Sequence, residues 1–519
     1  MQILSRPNAD SKYPLQEARR RLRQQCQTNY ASALPSYATG MPAGESKILG
    51  PLLSSGSKEF IRIPSVSLAD SKLRRELLVG EKKVAVWGTG YIGFSTMANF
   101  AAAGATCIGT DVSERIVSTI NAGKPPVPNM EYWLGFDPKY LVDSGMMKAT
   151  TDYKKVLAPE FAVHMIAIPT EKEDNPWDGA LQDVTTKIAT HIAKSGDRLL
   201  VIIESTLTPN KTDQLVMPIF EKQGVAVGKD VFLGVAPRRD WFISPEKNLR
   251  SIPRIVGGTT PETTQLMIEV LSIVCDRLVP APDHRHAEIV KSVENAFRHA
   301  EITLANQLSL AYPSLNMTEV LRLVGTKWNV GTFHPSFGSG GYCIPLSSKY
   351  VLEGAEKPEY LTILKETIAT DSRLPVIVAD HVADMGIRNV GILGLSYKGD
   401  LKVQVLSPAL GISKRLTERG VSVKINDPYF TPDEIKRATG AETFPFPDGL
   451  SEFECVIIVA GHRVYKAIPE TSLMSQLKNC KLVLDNIEET WHAFDWHAAG
   501  IAYHSAGDSN WLSARRTGS

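Results

Sequence analysis

One cysteine, Cys343, sits near the end of the stretch Gly338-Ser-Gly-Gly-Tyr-Cys-Ile-Pro345. Glycines there let backbone approach a ligand closely and supply positive φ. A thiol presented on such a turn can attack an electrophilic carbon, because the thiolate is a strong nucleophile. The competing reading is a small buried apolar residue, the commoner fate of a lone cysteine. Lys291 and Asn295 lie four apart, so both face one side of a helix. An ammonium and a carboxamide converging on a pocket can hold an oxyanion and share a proton with a substrate. A solvated helix face explains the same pair. Glu204-Ser-Thr206 and Tyr397-Lys398 each end a predicted strand, where α/β sheets place ligand contacts. A Thr206 hydroxyl there orients a water or the cofactor's amide, and Lys398 suits a phosphate; ordinary strand-end caps are the alternative.

Gly88-Thr-Gly90-Tyr-Ile-Gly93 carries a third chemistry. The first glycine allows a tight turn, the second lets backbone reach a pyrophosphate, and the third permits close helix–strand packing. The pattern follows the β-rich run KKVAVW and opens the helix-like FSTMANFAAAGA. An acid, Asp111, follows about 20 residues on, after a second strand. Asp111 hydrogen-bonds ribose hydroxyls and repels a 2′-phosphate, so NAD is expected over NADP.

These side chains must be positioned by a chain of 519 residues, 43% hydrophobic, 22% charged and with net charge +1. At about 150 residues per domain, that length suggests about three domains. Near-neutral charge argues against a nucleic-acid role. The six cysteines, Cys26, Cys107, Cys275, Cys343, Cys455 and Cys480, show no paired metal spacing, and His164 and His462 show none either. No metal site is expected, and the cysteine pattern suits reduced thiols in a cytoplasm. No apolar run approaches the roughly 18 residues of a membrane helix, and no uninterrupted apolar core of signal-peptide length opens the chain.

Strand candidates at 161–169, 198–205 and 230–237 alternate with helical patterns, as in a parallel doubly wound sheet. Long helical periodicity covers 285–330, the cysteine loop follows, and another helix spans about Tyr360 to Asp384. From Asn389 the βα rhythm restarts. The expected fold class is α/β, with two doubly wound Rossmann-like domains joined by a central helical segment. The expected boundaries are an extension over 1–80, poorly ordered or partly helical and carrying the basic run Arg19 to Arg23, a NAD-binding domain over 81–280, helices with the cysteine loop over 281–385, and a second domain over 386–519.

From about Lys82 onward the chain resembles the UDP-glucose/GDP-mannose dehydrogenase family. The motifs that carry this are VAVWGTGYIG, ESTLTP, PRIVGG, KSVENAF, FGSGGYCIP, LGLSYKGD, SPAL and NDPY, in the family's order. The resemblance implies oxidation of a nucleotide sugar's C6 alcohol to a carboxylate with two NAD. Cys343 then forms a thiohemiacetal and a thioester, with Lys291 and Asn295 as proton-transfer and oxyanion groups and Thr206 positioning water. The implied cofactor set is Gly88, Gly90, Tyr91, Ile92, Gly93 and Asp111, with Arg115, Pro169, Thr170 and Thr206. The implied substrate set is Lys291, Asn295, Phe337, Gly340, Gly341 and Lys398, with Arg238 beside them. The central helices imply a homodimer, and the second domain holds the nucleotide sugar.

Four positions depart from the family pattern. Arg238 stands for its Glu, Tyr342 for its His or Ser, Ser347 for its Asp, and Val405 for an Arg that contacts NAD. Two carboxylates and one cation are thus missing, and Arg238 makes the pocket more basic. Losing a general base costs on the order of 10²–10⁴ in rate. The rival readings are a two-electron oxidation, a redox-neutral epimerisation, and a catalytically silent paralogue that binds nucleotide.

Overall fold

The computed structural model describes residues 71–127, 130, 134–239, 247–486 and 490–513. The basic run Arg19 to Arg23 and Cys26 lie outside them, as does all of the expected extension before Ser71. The chain divides into two compact units. One runs to Thr170 and adds Asp178–Thr206 and Asn210–Glu288; the other takes Glu171–Trp177, Leu207–Pro209 and the chain from Ile289 on.

The first unit is built on eight strands: β1 (Lys83–Trp87), β2 (Cys107–Thr110), β3 (Met147–Thr150), β4 (Phe161–Ile166), β5 (Leu199–Ile203), β6 (Val231–Val235), β7 (Arg254–Gly258) and β8 (Leu278–Pro280). Their order is β8-β7-β6-β5-β4-β1-β2-β3, parallel throughout except the β6–β7 pair. The order reverses between β1 and β4, the switch point at which doubly wound sheets bind ligands. Strands β1, β4, β5 and β6 are mostly apolar and almost wholly buried, as a sheet covered on both faces requires. Sequence reading did not mark β3, β7 or β8; β3 and β8 are short, with little β-branched character in MKAT and LVP, and RIVGG in β7 ends on two glycines.

Helix α1 (Lys72–Val79) lies where the extension was expected to end. It is capped by Ser71, whose hydroxyl also donates to Glu269 at 2.6 Å, and it buries Leu77 completely. Helix α2 (Tyr91–Ala102) buries Phe94, Met97 and Phe100 against the sheet, each contributing about 1.5–3 kcal/mol.

In the second unit β9 (Asn389–Leu393), β10 (Ser422–Asn426), β11 (Glu442–Thr443), β12 (Cys455–Ile458), β13 (Leu482–Asp485) and β14 (Ala502–Ser505) form a wholly parallel sheet. Its order is β11-β10-β9-β12-β13-β14, again reversing beside the first strand. The expected α/β class with two doubly wound sheets is what the chain adopts. Helices α3 (His284–Ala311), α4 (Cys343–Glu353) and α5 (Thr362–Asp384) supply the helical segment. The unit boundary falls inside α3, between Glu288 and Ile289. Cys343, read from sequence as a loop residue, is the first residue of α4. Pro345 does not prevent this, because the first helical turn has no intrahelical use for its N–H. Among the described residues no helix is long and apolar enough to cross a membrane.

Candidate active site

The glycine turn after β1 has the geometry its sequence demands. Gly88 takes φ +79°, and a Cβ there meets the Ala167 carbonyl oxygen at 2.6 Å. A Cβ on Gly93 lies 1.9 Å from the Gly88 oxygen, so only hydrogen fits where helix meets turn. Gly90 is different: nothing lies within 4 Å of the position its Cβ takes. It is the N-cap of α2 and has no capping side chain, which leaves open space over the helix N-terminus, where anions are favoured. Tyr91 and Ile92 form the first turn below it. Those features fit a dinucleotide pyrophosphate. Asp111 holds the turn from the next strand end, accepting from Thr89 N at 2.8 Å, Thr89 Oγ1 at 3.1 Å and Ser113 N at 2.9 Å. Arg115 is exposed on the following helix. Pro169 is exposed, and Thr170 is buried and donates to the Thr206 carbonyl at 2.6 Å, so two of the expected cofactor residues meet.

Arg238 is placed otherwise than as a basic substrate contact. It is buried, and its guanidinium donates to Thr96 Oγ1 at 2.6 Å, to Ser95 Oγ at 3.1 Å and to the Ile92 carbonyl at 3.5 Å. Thr96 passes its own hydrogen to Glu204 at 2.7 Å, and Arg254 donates to the other Glu204 oxygen at 2.5 Å and to the Ala236 carbonyl at 2.6 Å. Three charged side chains, all below about a tenth exposed, thus brace the nucleotide helix from beneath. The physical reason is position: Arg238 leaves the end of β6 beside α2, whose second-turn hydroxyls accept its hydrogens.

In the second unit the turn that delivers Cys343 is held by its backbone. Ser336 N donates to Asn306 Oδ1 at 2.6 Å, Phe337 N to Asn486 Oδ1 at 2.6 Å, Ser339 N to Asp371 Oδ1 at 2.8 Å, and Gly341 N to the Val405 carbonyl at 2.8 Å. Two helices, α3 and α5, and two further segments, at Val405 and Asn486, therefore fix one loop. Its glycines serve Tyr397 as well as any ligand: a Cβ on Gly340 lies 2.3 Å from Tyr397 Cβ, and one on Gly341, at φ +83°, lies 2.9 Å from the ring. Phe337 has its side chain in the apolar core. Val405, in place of an arginine, acts through its carbonyl.

Cys343 is exposed, whereas Cys107, Cys275, Cys455 and Cys480 are buried free thiols. Burial raises Cys107 and Cys455 far above the ordinary range and Cys480 to about 12, which keeps them protonated and inert. The Tyr397 phenol is pushed up to about 12 by burial and then by the neighbouring Cys343 charge. Tyr342 is raised by burial and by Glu171 and Asp174. Those acids come from a two-stranded hairpin, Glu171–Lys172 with Asn175–Pro176, that belongs to this unit and accepts Lys349 Nζ on the Asp174 carbonyl at 2.6 Å.

Asn295 is buried on α3 and donates Nδ2 to Ser347 Oγ at 3.1 Å; Ser347 donates to the Cys343 carbonyl at 2.5 Å. Ser347, where the family pattern has an acid, thus ties the carboxamide to the cysteine's own backbone. Lys291, one turn earlier, is largely buried and pairs with Glu294 at 3.1 Å. Lys398 is half-buried on a turn held by Asp427, which accepts from Leu395 N at 2.9 Å, Ser396 N at 3.0 Å and His462 Nε2 at 3.1 Å. His462 accepts the Asp400 N–H on Nδ1 at 2.9 Å, so its hydrogen sits on Nε2. His164 is in the core, accepting from Trp87 Nε1, and burial lowers it to about 3. Sequence reasoning missed Asn306, Asp371 and Asn486 as loop anchors. A polar stripe along α3, with Asn295, His299 and Asn306 on one face, was the available signal.

Comparison with known proteins matches the same division of labour. Residues 82–274 match the NAD binding domain of the UDP-glucose/GDP-mannose dehydrogenase family, 285–372 its central domain, and 391–488 its UDP binding domain. UDP-N-acetyl-D-mannosamine dehydrogenase of Methanococcus aeolicus is 28% identical over 447 residues, covering 83% of this chain and 96% of the relative. NDP-N-acetyl-D-galactosaminuronic acid dehydrogenase of Ralstonia solanacearum is 26% identical, over 78% of this chain and 96% of the relative. Among solved structures, a UDP-glucose dehydrogenase from Pyrobaculum islandicum shares the fold with TM-score 0.71 at 21% identity, over 82% of this chain and 98% of that one. With its glycine turn, its clamped cysteine loop and most of its second parallel sheet inside the matched regions, the chain belongs to the UDP-glucose/GDP-mannose dehydrogenase family.

Proposed function

We propose that this protein oxidises the C6 alcohol of a nucleotide-linked sugar to the carboxylate, using NAD and the Cys343 thiol. The carrying observation is Cys343 itself, an exposed thiol that starts α4 behind a loop held at four backbone N–H groups, tied through Ser347 to Asn295. The relatives' names direct the substrate search first to nucleotide-linked N-acetylhexosamines, beginning with the UDP-linked ones.

NAD, when bound, supplies the hydride acceptor. Gly90 and the first turn of α2 receive the pyrophosphate, and Asp111 takes the ribose hydroxyls; Arg115, Pro169, Thr170 and Thr206 complete that set. Lys291 carries the proton transfer: having first given up a proton, its neutral amine takes the alcohol's proton as the first hydride leaves the carbon. The Cys343 sulfur then adds to the aldehyde carbon, and the carbonyl electron pair moves to oxygen. Asn295 has a second Nδ2 hydrogen besides the one given to Ser347, and it is the donor assigned to that oxygen. Loss of the second hydride leaves a thioester. Water adds to it, the C–S bond breaks, and the thiolate returns. Gly340, Gly341 and Lys398 contact the nucleotide sugar, with Phe337 supporting the loop from the core. The working division is an NAD domain over 81–280, a central segment over 281–385 and a sugar-nucleotide domain over 386–519.

An inverted helix supports a homodimer. Along α3 the polar residues Ser292, Asn295, His299, Thr303 and Asn306 are buried, while Phe297 is 69% and Leu304 55% exposed on the opposite side. An apolar stripe of that kind is what a second copy covers. The cysteine pattern supports a reducing, cytoplasmic setting.

The test is NADH yield with product mass across a panel of UDP- and GDP-sugars. Two NADH per carboxylate product supports the reading. One NADH with an aldehyde product, or none with an epimer, overturns it.

A further inference from the structure

Helix α3 buries one histidine beside the cysteine loop. His299 is 1% exposed, and its Nδ1 lies 2.9 Å from Ser348 Oγ on α4. Its Nε2 lies 3.3 Å from Asp371 Oδ2 on α5, an ion-pair distance outside good hydrogen-bond alignment. The other Asp371 oxygen accepts Ser339 N at 2.8 Å, four residues before Cys343. One imidazole therefore links α3, α4, α5 and the loop. The connectivity is that of a serine–histidine–aspartate relay, but Ser348 is fully buried inside a helix, so it has no route to a substrate. Of the three side chains that anchor the loop's backbone, Asn306 and Asn486 are neutral and only Asp371 is a carboxylate. A buried carboxylate is tolerated when a partner compensates it, and removing that partner is costly.

We infer that His299 and Asp371 form a buried latch that sets the position of the Cys343 loop, which makes His299 a positioning residue. His299 compensates and orients Asp371; Asp371 holds Ser339; Ser339 fixes the approach to Cys343. Through Ser348 the same imidazole holds the helix that begins at the cysteine. The latch requires only that Cys343 be the reactive thiol, so it stands or falls separately from the substrate proposed above.

The test is the alkylation rate of Cys343 by iodoacetamide, followed by peptide mass spectrometry in a Cys26→Ser background without substrate. The four buried cysteines report loss of fold in the same samples. His299→Ala leaves Asp371 buried without its partner, and the Cys343 rate is expected to change at least tenfold with the buried thiols still protected. Adding Asp371→Asn removes the stranded charge while an amide oxygen still accepts Ser339 N, so the double variant returns to within about threefold of the parent. His299→Gln, which still reaches Asp371, stays within the same range. An unchanged Cys343 rate in His299→Ala overturns the latch. So does a double variant further from the parent than His299→Ala alone, as simple space filling predicts. If His299→Ala does not fold, a tenfold change in a folded His299→Gln overturns it as well.

Discussion

Removing one hydroxyl, in Ser347→Ala, separates a structural tie from a lost base. Ser347 Oγ is buried between Asn295 Nδ2 at 3.1 Å and the Cys343 carbonyl at 2.5 Å. The carbonyl keeps its helical partner, the N–H four residues on. The carboxamide does not: Asn295 is 2% exposed, and an orphaned buried donor costs about 1–3 kcal/mol. The hole left is about the size of one hydroxyl, too small for a water to repair. Urea unfolding is therefore expected to show a loss of about 1–3 kcal/mol in the transition of the second unit. Thermal scans are expected to fall by roughly 2–4 °C per kcal/mol for a unit of this size. Because the bond is shared, Asn295→Ala and Ser347→Ala are expected to be non-additive by about 1 kcal/mol in a double-mutant cycle. A Ser347→Ala protein within about 0.5 kcal/mol of the parent, with strictly additive effects, refutes the tie.

Three further outcomes are expected. Arg238→Glu puts a second carboxylate beside Thr96 and Glu204 in a buried network, so it is expected to destabilise the first unit by about 3–5 kcal/mol and not to speed product release; urea melts and NADH bursts distinguish the two. Glu288 is raised to about 7, chiefly by burial, while its oxygen accepts Thr212 N at 3.2 Å. A raised carboxyl contributes stability fully below its unfolded value of 4.5 and loses it as pH rises through about 7, so the parent is expected to lose about 2–3 kcal/mol between pH 5 and 8 relative to Glu288→Gln in paired unfolding series. Phe297→Glu on the exposed stripe of α3 is expected to yield monomers in light scattering, with NAD affinity of the first unit retained.

Local chemistry was readable in the sequence, and tertiary convergence was not. Gly88, Gly93 and Asp111 announce their roles because a turn, a close approach and a strand end lie within one short βαβ stretch. The two parallel sheets follow from alternating buried strands and helices in the same way. The anchors of the cysteine loop lie 30, 32 and 149 residues from the N–H groups they hold, so spacing along the chain carries no trace of them. Arg238 misled because a charge in a motif reads as ligand-facing; which neighbour receives its hydrogens depends on where β6 ends relative to α2. The hairpin Glu171–Pro176 is a similar case, lying in sequence within the NAD-binding half yet grouping with the cysteine-bearing unit. Cys343 reads as a loop residue in the sequence, and its place at the start of a helix was hidden by Pro345, because proline is disfavoured in helix interiors and accepted at helix beginnings.

The central claim is that carbon passes through sulfur at Cys343. It is tested most directly by following carboxylate product, by mass, from parent and Cys343→Ala proteins given the same UDP-sugar and NAD. The account predicts two NADH per carboxylate for the parent and no carboxylate from Cys343→Ala. Carboxylate formed at the parental rate by Cys343→Ala contradicts it.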